Sequence, residues 1–242
     1  MTIDGGNIEV KRRIVLLPVF MILAVMFFGC STGEIVATVP QDTTIIVLPE
    51  PVYDSDISFE ETLLNRRSAR SYSEEPITLQ QLSQLLWAGQ GITDPTGKRT
   101  APSAGALYPL KVYVVIGNVE GLGPGVYEYE PETHTIIKIK DGDQRQSLAQ
   151  VALNQESVRQ GAIDIVITAV YERTTVKYGE RGIRYVHIEV GHAAQNICLQ
   201  AVALKLGAVT IGAFEDENVL KVLGLPADEA PLYIIPAGNP ID

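Results

Sequence analysis

Residues 183–206 constrain the fold more than any other part of this 242-residue chain. They form the longest helical segment, and the apolar character of its C-terminal half predicts burial on nearly all sides. A helix of that kind needs a body around it, and the flanking sequence supplies one. Residues 162–171 are a β-branched run and predict a buried strand. Residues 111–117, 125–130 and 135–140 also predict strands, the last two joined across Pro131-Glu132-Thr133-His134. Short apolar strands are expected at 207–211 and 232–235, flanking a helix at 215–223. Ser58-Phe59-Glu60-Glu61 reads as a capping box opening a helix that runs to about Arg67. Thr78-Leu79-Gln80-Gln81 opens a second helix, with Leu82, Leu85 and Leu86 at helical spacing and Gly89 and Gly91 as its stop. Residues 144–154 predict a further helix. Helices and strands without strict alternation give the α+β class.

Charge narrows the function. The chain holds 29 acidic against 19 basic residues, a net charge of −10, which argues against a nucleic-acid partner because phosphate contacts dominate that affinity. Yet Arg66-Arg67-Ser68-Ala69-Arg70 packs three cations and a serine where the first helix ends. Guanidinium groups at a chain reversal clamp a phosphate or a polarised carbonyl. The plainer alternative is a last helical turn whose cations complement the dipole. Pro102-Ser103-Ala104-Gly105-Ala106-Leu107-Tyr108-Pro109 is a run of small residues between prolines. Its small side chains let backbone approach a flat ligand, and Gly105 permits unusual dihedrals; an ordinary turn before a strand is the other reading.

Together the two segments resemble the FMN-dependent nitroreductase family, most closely its azoline-dehydrogenase (SagB-type) branch. The resemblance continues through Leu85-Leu86-Trp87-Ala88-Gly89-Gln90-Gly91, Val126-Tyr127-Glu128-Tyr129 and Lys177-Tyr178-Gly179-Glu180-Arg181-Gly182. It then takes in Glu189-Val190-Gly191-His192-Ala193-Ala194-Gln195-Asn196, Ile211-Gly212-Ala213-Phe214 and Pro236-Ala237-Gly238-Asn239-Pro240. It implies a nitroreductase-like α+β fold with a mixed central sheet, an intertwined homodimer, and one FMN at each subunit interface. By the same resemblance Arg66, Arg67, Ser68 and Arg70 divide between the phosphate, the ribityl chain and the pyrimidine edge. Pro102, Ser103, Ala104, Gly105 and Ala106 would contact that FMN from the partner subunit. Ile211, Gly212 and Ala213 would bring backbone N–H groups to N5 and O4. Lys177 and Tyr178 match a pair proposed to remove a carbon-bound proton as hydride leaves, which makes them the catalytic candidates. A lysine serves as a base only when burial lowers its proton affinity, and a surface lysine beside a packing tyrosine is the alternative. The substrate is a small molecule or peptide. Many relatives carry an Arg or Lys where this chain has Asn239, which throws more of the phosphate onto Arg66 and Arg67.

His187, Glu189 and His192 invite a metal reading. The two histidines are five residues apart, pointing to different helix faces, and no Cys or third His completes a set, so no metal is expected. His192, Gln195 and Asn196 form a polar stripe that reads either as a core network or as a flavin contact.

The N-terminus is a separate object. Lys11-Arg12-Arg13 precedes a fifteen-residue apolar run, residues 14–28. That is short of the roughly 20 residues of a membrane span. The run ends at Gly29-Cys30 and resembles a lipoprotein export signal, with Cys30 cleaved to a lipidated N-terminus; an uncleaved anchor starting nearer Ile8 is the alternative. Either way the charges place the body outside a cytoplasmic membrane. Residues 1–30 are thus expected to be signal or anchor, 31–57 a tether with Ile45-Ile46-Val47-Leu48 as a docking strand, and 58–242 the flavin-binding domain. Cys198 then has no disulfide partner and reads as a buried small hydrophobe.

Overall fold

The computed structural model describes residues 44–241. The expected signal, Cys30 and the first part of the tether lie outside the described residues. Among the described residues no helix is long and apolar enough to cross a membrane.

Seven strands form one sheet: β1 (Ile45–Val47), β2 (Leu110–Ile116), β3 (Gly125–Glu130), β4 (Thr135–Asp141), β5 (Ile163–Ala169), β6 (Gly207–Ala208) and β7 (Ala230–Gly238). Their order is β1-β4-β3-β2-β5-β7-β6, and every ladder is antiparallel. The parallel component of the expected mixed sheet is confined to single bridges, Ser68 with Ala208 and Ile77 with Val119. The helices are α1 (Phe59–Asn65), α2 (Leu79–Gln90), α3 (Arg145–Val151), α4 (Glu156–Gln160), α5 (Glu172–Tyr178), α6 (Arg181–Ala203) and α7 (Asp216–Leu223).

Every residue of β5 is buried because it lies mid-sheet with apolar packing on both faces. Ile163, Ile165 and Ile167 pack into a core with Leu82, Leu85 and Leu86 of α2 and Val190, Ala194 and Ile197 of α6. Val166, on the other face, joins Leu148 of α3, Val158 of α4 and Val219 and Leu223 of α7. This is the period-two alternation of a strand feeding two cores. Two polar residues interrupt it. Thr168 donates to buried Glu229 at 2.5 Å, which also accepts from Tyr113 at 2.8 Å and pairs with Lys111 at 3.2 Å. Asp164 is fully buried with both carboxyl oxygens unpartnered, and burial pushes its carboxyl well above the usual range.

The structure redraws several local expectations. Ser58 caps α1 by accepting from the N–H of Glu61, but the helix stops at Asn65, short of Arg67. The second capping box is complete on both sides. Gly89 does not stop α2: it is helical, and a side chain there would meet Ile197 Cδ1 at 3.0 Å, so it serves the packing of α2 on α6. Gly91 is the cap. The helix expected at 144–154 ends at Val151, where Leu153 and Asn154 turn left-handed, and α4 follows. The docking strand is present as β1, pairing Ile45 with Ile137 and Val47 with Thr135. The chain beyond it is held to α2 by Gln84, which accepts from Val52 N–H at 2.8 Å and donates to Val52 C=O at 2.9 Å. The long helix is buried along Val186, Val190, Ala193, Ala194, Ile197 and Ala201 but not on nearly all sides: Ile183, Arg184, Ile188, Gly191, His192 and Gln195 form an exposed stripe.

Candidate functional site

The arginine cluster forms where α1 gives way to an extended segment. Ser68 bridges to Ala208, and the Ala69 N–H donates to the Ala208 carbonyl at 3.2 Å. Gly207 permits this approach, because a Cβ there would fall 2.5 Å from Ala69 Cβ. Arg67 donates to the carbonyls of Leu64 at 2.9 Å and Arg66 at 2.8 Å, so it does complement the end of α1 as the plain reading expects. Arg70 reaches only the Ser68 carbonyl, at 3.5 Å. Among the described residues none of Arg66, Arg67 and Arg70 pairs with a carboxylate. Three neighbouring cations without a carboxylate partner concentrate positive charge in an acidic chain.

Farther along the same sheet edge, Ile211 exchanges hydrogen bonds with Ile234 at 2.8 and 3.0 Å. That uses up its own N–H. Gly212 and Ala213 are exposed, and among the described backbone hydrogen bonds their N–H groups donate to nothing. The Ala213 carbonyl is held by Gln155 at 3.0 Å. Gly212 follows Ala208 by four positions, so these free N–H groups begin within about 14 Å of the residue that the arginine segment bridges to.

The small-residue segment is a distorted turn. Gly105, Ala106 and Tyr108 have φ of 66°, 53° and 44°. Two non-glycine residues in left-handed geometry within three positions mark a segment held in place by its surroundings, a pattern that concentrates at functional sites. Three contacts hold it. Ser103 Oγ accepts from the Tyr108 N–H at 2.9 Å. Arg173 donates to the Tyr108 carbonyl at 3.3 Å. The Arg99 guanidinium lies 4.6 Å from the Tyr108 ring centre.

Lys177 and Tyr178 lie between β5 and the long helix α6, on the last turn of α5, which ends at Gly179 with φ 58°. Gly182 lets α5 lie against the start of α6, since a Cβ there would be 3.0 Å from Thr175 backbone. The result brings the two expected motifs together in one chain: a Cβ on Gly105 would stand 2.7 Å from Tyr178 Oη and 2.9 Å from Lys177 Nζ. The glycine is required by both its φ and its neighbours. Tyr178 is braced edge-on by Tyr185 at 5.1 Å between centroids. Lys177 is exposed, so the burial that a lysine base needs is not supplied by this chain alone.

The two clusters do not meet within a protomer. Ser103 faces Glu189 on α6, while Arg66 lies close enough to Cys198 for its charge to act on that thiol. Glu189 and Cys198 are nine residues apart on α6, which puts them on opposite faces and about 14 Å apart along the axis. A hollow of about 470 Å³ between residues 52–59, α2 and α6 is lined by Tyr53, Trp87 and Asn196 and touches neither cluster.

The remaining candidates resolve as follows. Asn239 donates to the carbonyls of Glu75 at 3.1 Å and Pro76 at 3.3 Å, so it ties backbone. His192 and Gln195 are exposed in the single chain, and Asn196 donates to the Thr100 carbonyl at 3.3 Å. His187 bonds Tyr171 at 2.7 Å. Among the described residues no cluster could hold a metal ion. Cys198 is buried and free. Sequence reasoning missed Arg99 and did not see what Glu189 does. Glu189 is 2% exposed, its Oε1 has no partner, and burial pushes its carboxyl up to about 7 against the opposing pull of Ser103 and Arg99. A lone acid on an otherwise apolar helix face was the available signal.

Residues 63–239 match the nitroreductase family profile, nearly three-quarters of the chain. The chain belongs to the nitroreductase family. It is 46% identical over 201 residues to a protein of Methanocaldococcus jannaschii named as a nitroreductase, covering 83% of this chain and 99% of that one. It is 27% identical to the NADPH-flavin oxidoreductase of Vibrio harveyi, covering 74% of this chain and 65% of the relative. Among solved structures, a nitroreductase from Ralstonia eutropha superposes with a TM-score of 0.71 at 28% identity, covering 82% of this chain and 90% of that one. A chain of the Escherichia coli microcin synthetase complex with its truncated pro-microcin superposes with a TM-score of 0.64 at 25% identity, covering 81% and 78%. The protein is therefore an oxidoreductase of a flavin-using family. The residues present fit such a group: unpaired guanidinium groups for a phosphate, free N–H groups on a sheet edge, and a glycine cradle beside two proton-bearing side chains.

Proposed function

We propose that the protein is a homodimeric FMN-dependent oxidoreductase of the azoline-dehydrogenase type. The observation that carries this reading is the meeting of Gly105 with Lys177 and Tyr178, which puts a proton-handling pair against the segment expected to lie on the flavin. FMN, when bound, supplies the hydride chemistry. The chain's own part is to hold the phosphate with Arg66, Arg67 and Arg70, to offer the Gly212 and Ala213 N–H groups to the ring edge, and to keep Lys177 Nζ at the substrate face. The likeness to the microcin synthetase chain supports a peptide substrate. The likeness to the NADPH-flavin oxidoreductase, together with the exposure of Lys177, favours the second reading, an NAD(P)H-dependent reductase of quinones or nitroaromatics. In either case the site needs two protomers, because the arginine cluster and the Gly105 cluster flank opposite faces of α6. The exposed stripe of α6 and the exposed Phe59, Leu63 and Leu64 of α1 offer the surface for the second copy. We further propose that Cys30 anchors this body at the outer face of the membrane.

Complementation tests the two-protomer site. One variant carries Arg66→Ala and Arg70→Ala; the other carries Lys177→Ala. Each alone is expected to be inactive. Mixed and reassembled, half of the dimers are heterodimers, and each of these has one intact site, so about a quarter of wild-type activity returns. No recovery in verified heterodimers would mean that each site belongs to one chain.

A further inference from the structure

We infer that Gln155 is a positioning residue: by holding the Ala213 carbonyl it fixes the peptide between Ala213 and Phe214, so that the Phe214 N–H joins those of Gly212 and Ala213 as a donor to the ligand. This rests on the flavin reading of the site. The carbonyl and the N–H of one trans peptide point opposite ways, so whatever ties the carbonyl also aims the N–H. Two peptides of this stretch are tied in that manner. The Ile211 carbonyl accepts from the Ile234 N–H at 3.0 Å, which turns the Gly212 N–H away from β7. The Ala213 carbonyl accepts from Gln155 Nε2 at 3.0 Å, which turns the Phe214 N–H away from Gln155. Glu215 then closes the stretch, donating its N–H to the Val151 carbonyl at 2.9 Å. Among the described hydrogen bonds the N–H groups of Gly212, Ala213 and Phe214 donate to nothing. Only the peptide between Gly212 and Ala213 lacks a tie of its own, and the two tied peptides bracket it.

Both amide hydrogens of Gln155 are committed. One goes to the Ala152 carbonyl at 3.1 Å and the other to the Ala213 carbonyl. Two carbonyl partners call for the NH₂ end of the amide, so its orientation follows from the chemistry. The backbone that carries it is equally fixed. Between α3 and α4 the chain reverses through Leu153 and Asn154, with φ of 57° and 58°. The Asn154 N–H then donates to the Ala149 carbonyl at 2.8 Å, and the Gln155 N–H to the Ala152 carbonyl at 3.2 Å. Leu153 is 60% exposed, so burial of its own side chain does not hold it in left-handed geometry. What the reversal achieves is to bring Gln155 onto Ala213, next to the Val151 carbonyl that holds Glu215. The ring edge of a flavin presents acceptors at N5 and O4. A donor facing that edge binds it, and a carbonyl facing it repels it. Without Gln155 the Ala213 carbonyl is released, and the peptide can turn its acceptor toward the ligand in place of the Phe214 donor.

The test uses full-length apoprotein and added FMN, with affinity read from flavin fluorescence. Gln155→Glu keeps the shape of the side chain, but an ionised carboxylate donates nothing. Gln155→Met removes the donors without adding charge. Both should bind FMN about three- to tenfold more weakly than wild type, the worth of one net hydrogen bond. Gln160 supplies the charge control: it is exposed on the same helix and donates to Glu156 at 3.2 Å. Gln160→Glu should bind as wild type does. Equal affinities for wild type, Gln155→Glu and Gln155→Met overturn the proposal. A second readout follows the peptide itself. Ala213-Phe214 is the only Ala-Phe pair in the sequence, so carbonyl-¹³C alanine with ¹⁵N phenylalanine gives one coupled NMR signal. In apoprotein the Ala213 carbonyl resonance should move upfield in Gln155→Met, as the loss of an accepted hydrogen bond requires. In wild type the Phe214 N–H resonance should shift when FMN is added. A carbonyl unmoved by Gln155→Met overturns the hold on the peptide, and a Phe214 N–H unmoved by bound FMN overturns its place as a donor. A carbonyl that moves in a protein that binds no FMN upholds the hold while the flavin reading falls.

Discussion

Replacing Gly105 with alanine separates backbone strain from site geometry. Gly105 has φ 66°, and an L side chain in left-handed geometry costs about 1–2 kcal/mol. Its Cβ would also stand 2.7 Å from Tyr178 Oη and 2.9 Å from Lys177 Nζ. Both are free ends of side chains, so they move rather than unfold the protein. Gly121 supplies the control: its φ is 76°, and a Cβ there meets nothing within 4 Å. Both variants should lose about 1–2 kcal/mol in urea unfolding. Only Gly105→Ala should lose turnover. Displacing a reacting group by about 1 Å costs roughly a hundredfold in rate. Purified variants assayed side by side for unfolding midpoint and turnover decide it. Equal turnover in the two variants would refute the placement of Lys177 and Tyr178 in the site.

Other consequences can be measured separately. Arg70→Ala should weaken FMN binding by about ten- to a hundredfold, from roughly 1.5–3 kcal/mol for a charged hydrogen bond, whereas Lys98→Ala, which removes an exposed pair with Asp94, should not; equal dissociation constants would remove Arg70 from the site. Glu189 titrates at about 7 in the fold and near 4.3 in the unfolded chain, so stability is fully present below the lower value and falls as pH rises through the upper one. Glu189→Gln should therefore gain up to about 3 kcal/mol on wild type at pH 8 relative to pH 5, at about 1.4 kcal/mol per pH unit; a pH-independent difference in urea unfolding would contradict the burial argument. Cys30→Ser should abolish lipidation and leave flavin binding intact. Intact mass of membrane-extracted protein checks this, and a wild-type species still beginning near Met1 would show an uncleaved segment.

What the sequence made legible was what local pattern encodes. The capping residues at Ser58 and Thr78, the β-branched run of β5 and the apolar stretch of α6 each carry their structure in adjacent residues. The arginine and small-residue segments stood out because their composition departs from the acidic, mixed background. Helix α5 did not: it is a single short element with Thr174, Thr175 and Val176 at its centre and no side-chain cap, so propensity spoke against it and packing on α6 decided it. The exposed stripe of α6 was read as buried because apolar density near its C-terminus masked the arginine and histidines near its start. The contact of Gly105 with Lys177 and Tyr178 spans some seventy residues, and the orphaned oxygen of Glu189 exists only once Arg99 and Ser103 have been folded around it. No local pattern announces either one.

The central claim is a flavin held by unpaired arginines and a glycine cradle. Flavin content of the purified full-length chain tests it most directly. The protein should be yellow and release one non-covalent FMN per chain on denaturation, identified by mass. A colourless protein that also fails to quench the fluorescence of added FMN would contradict the account.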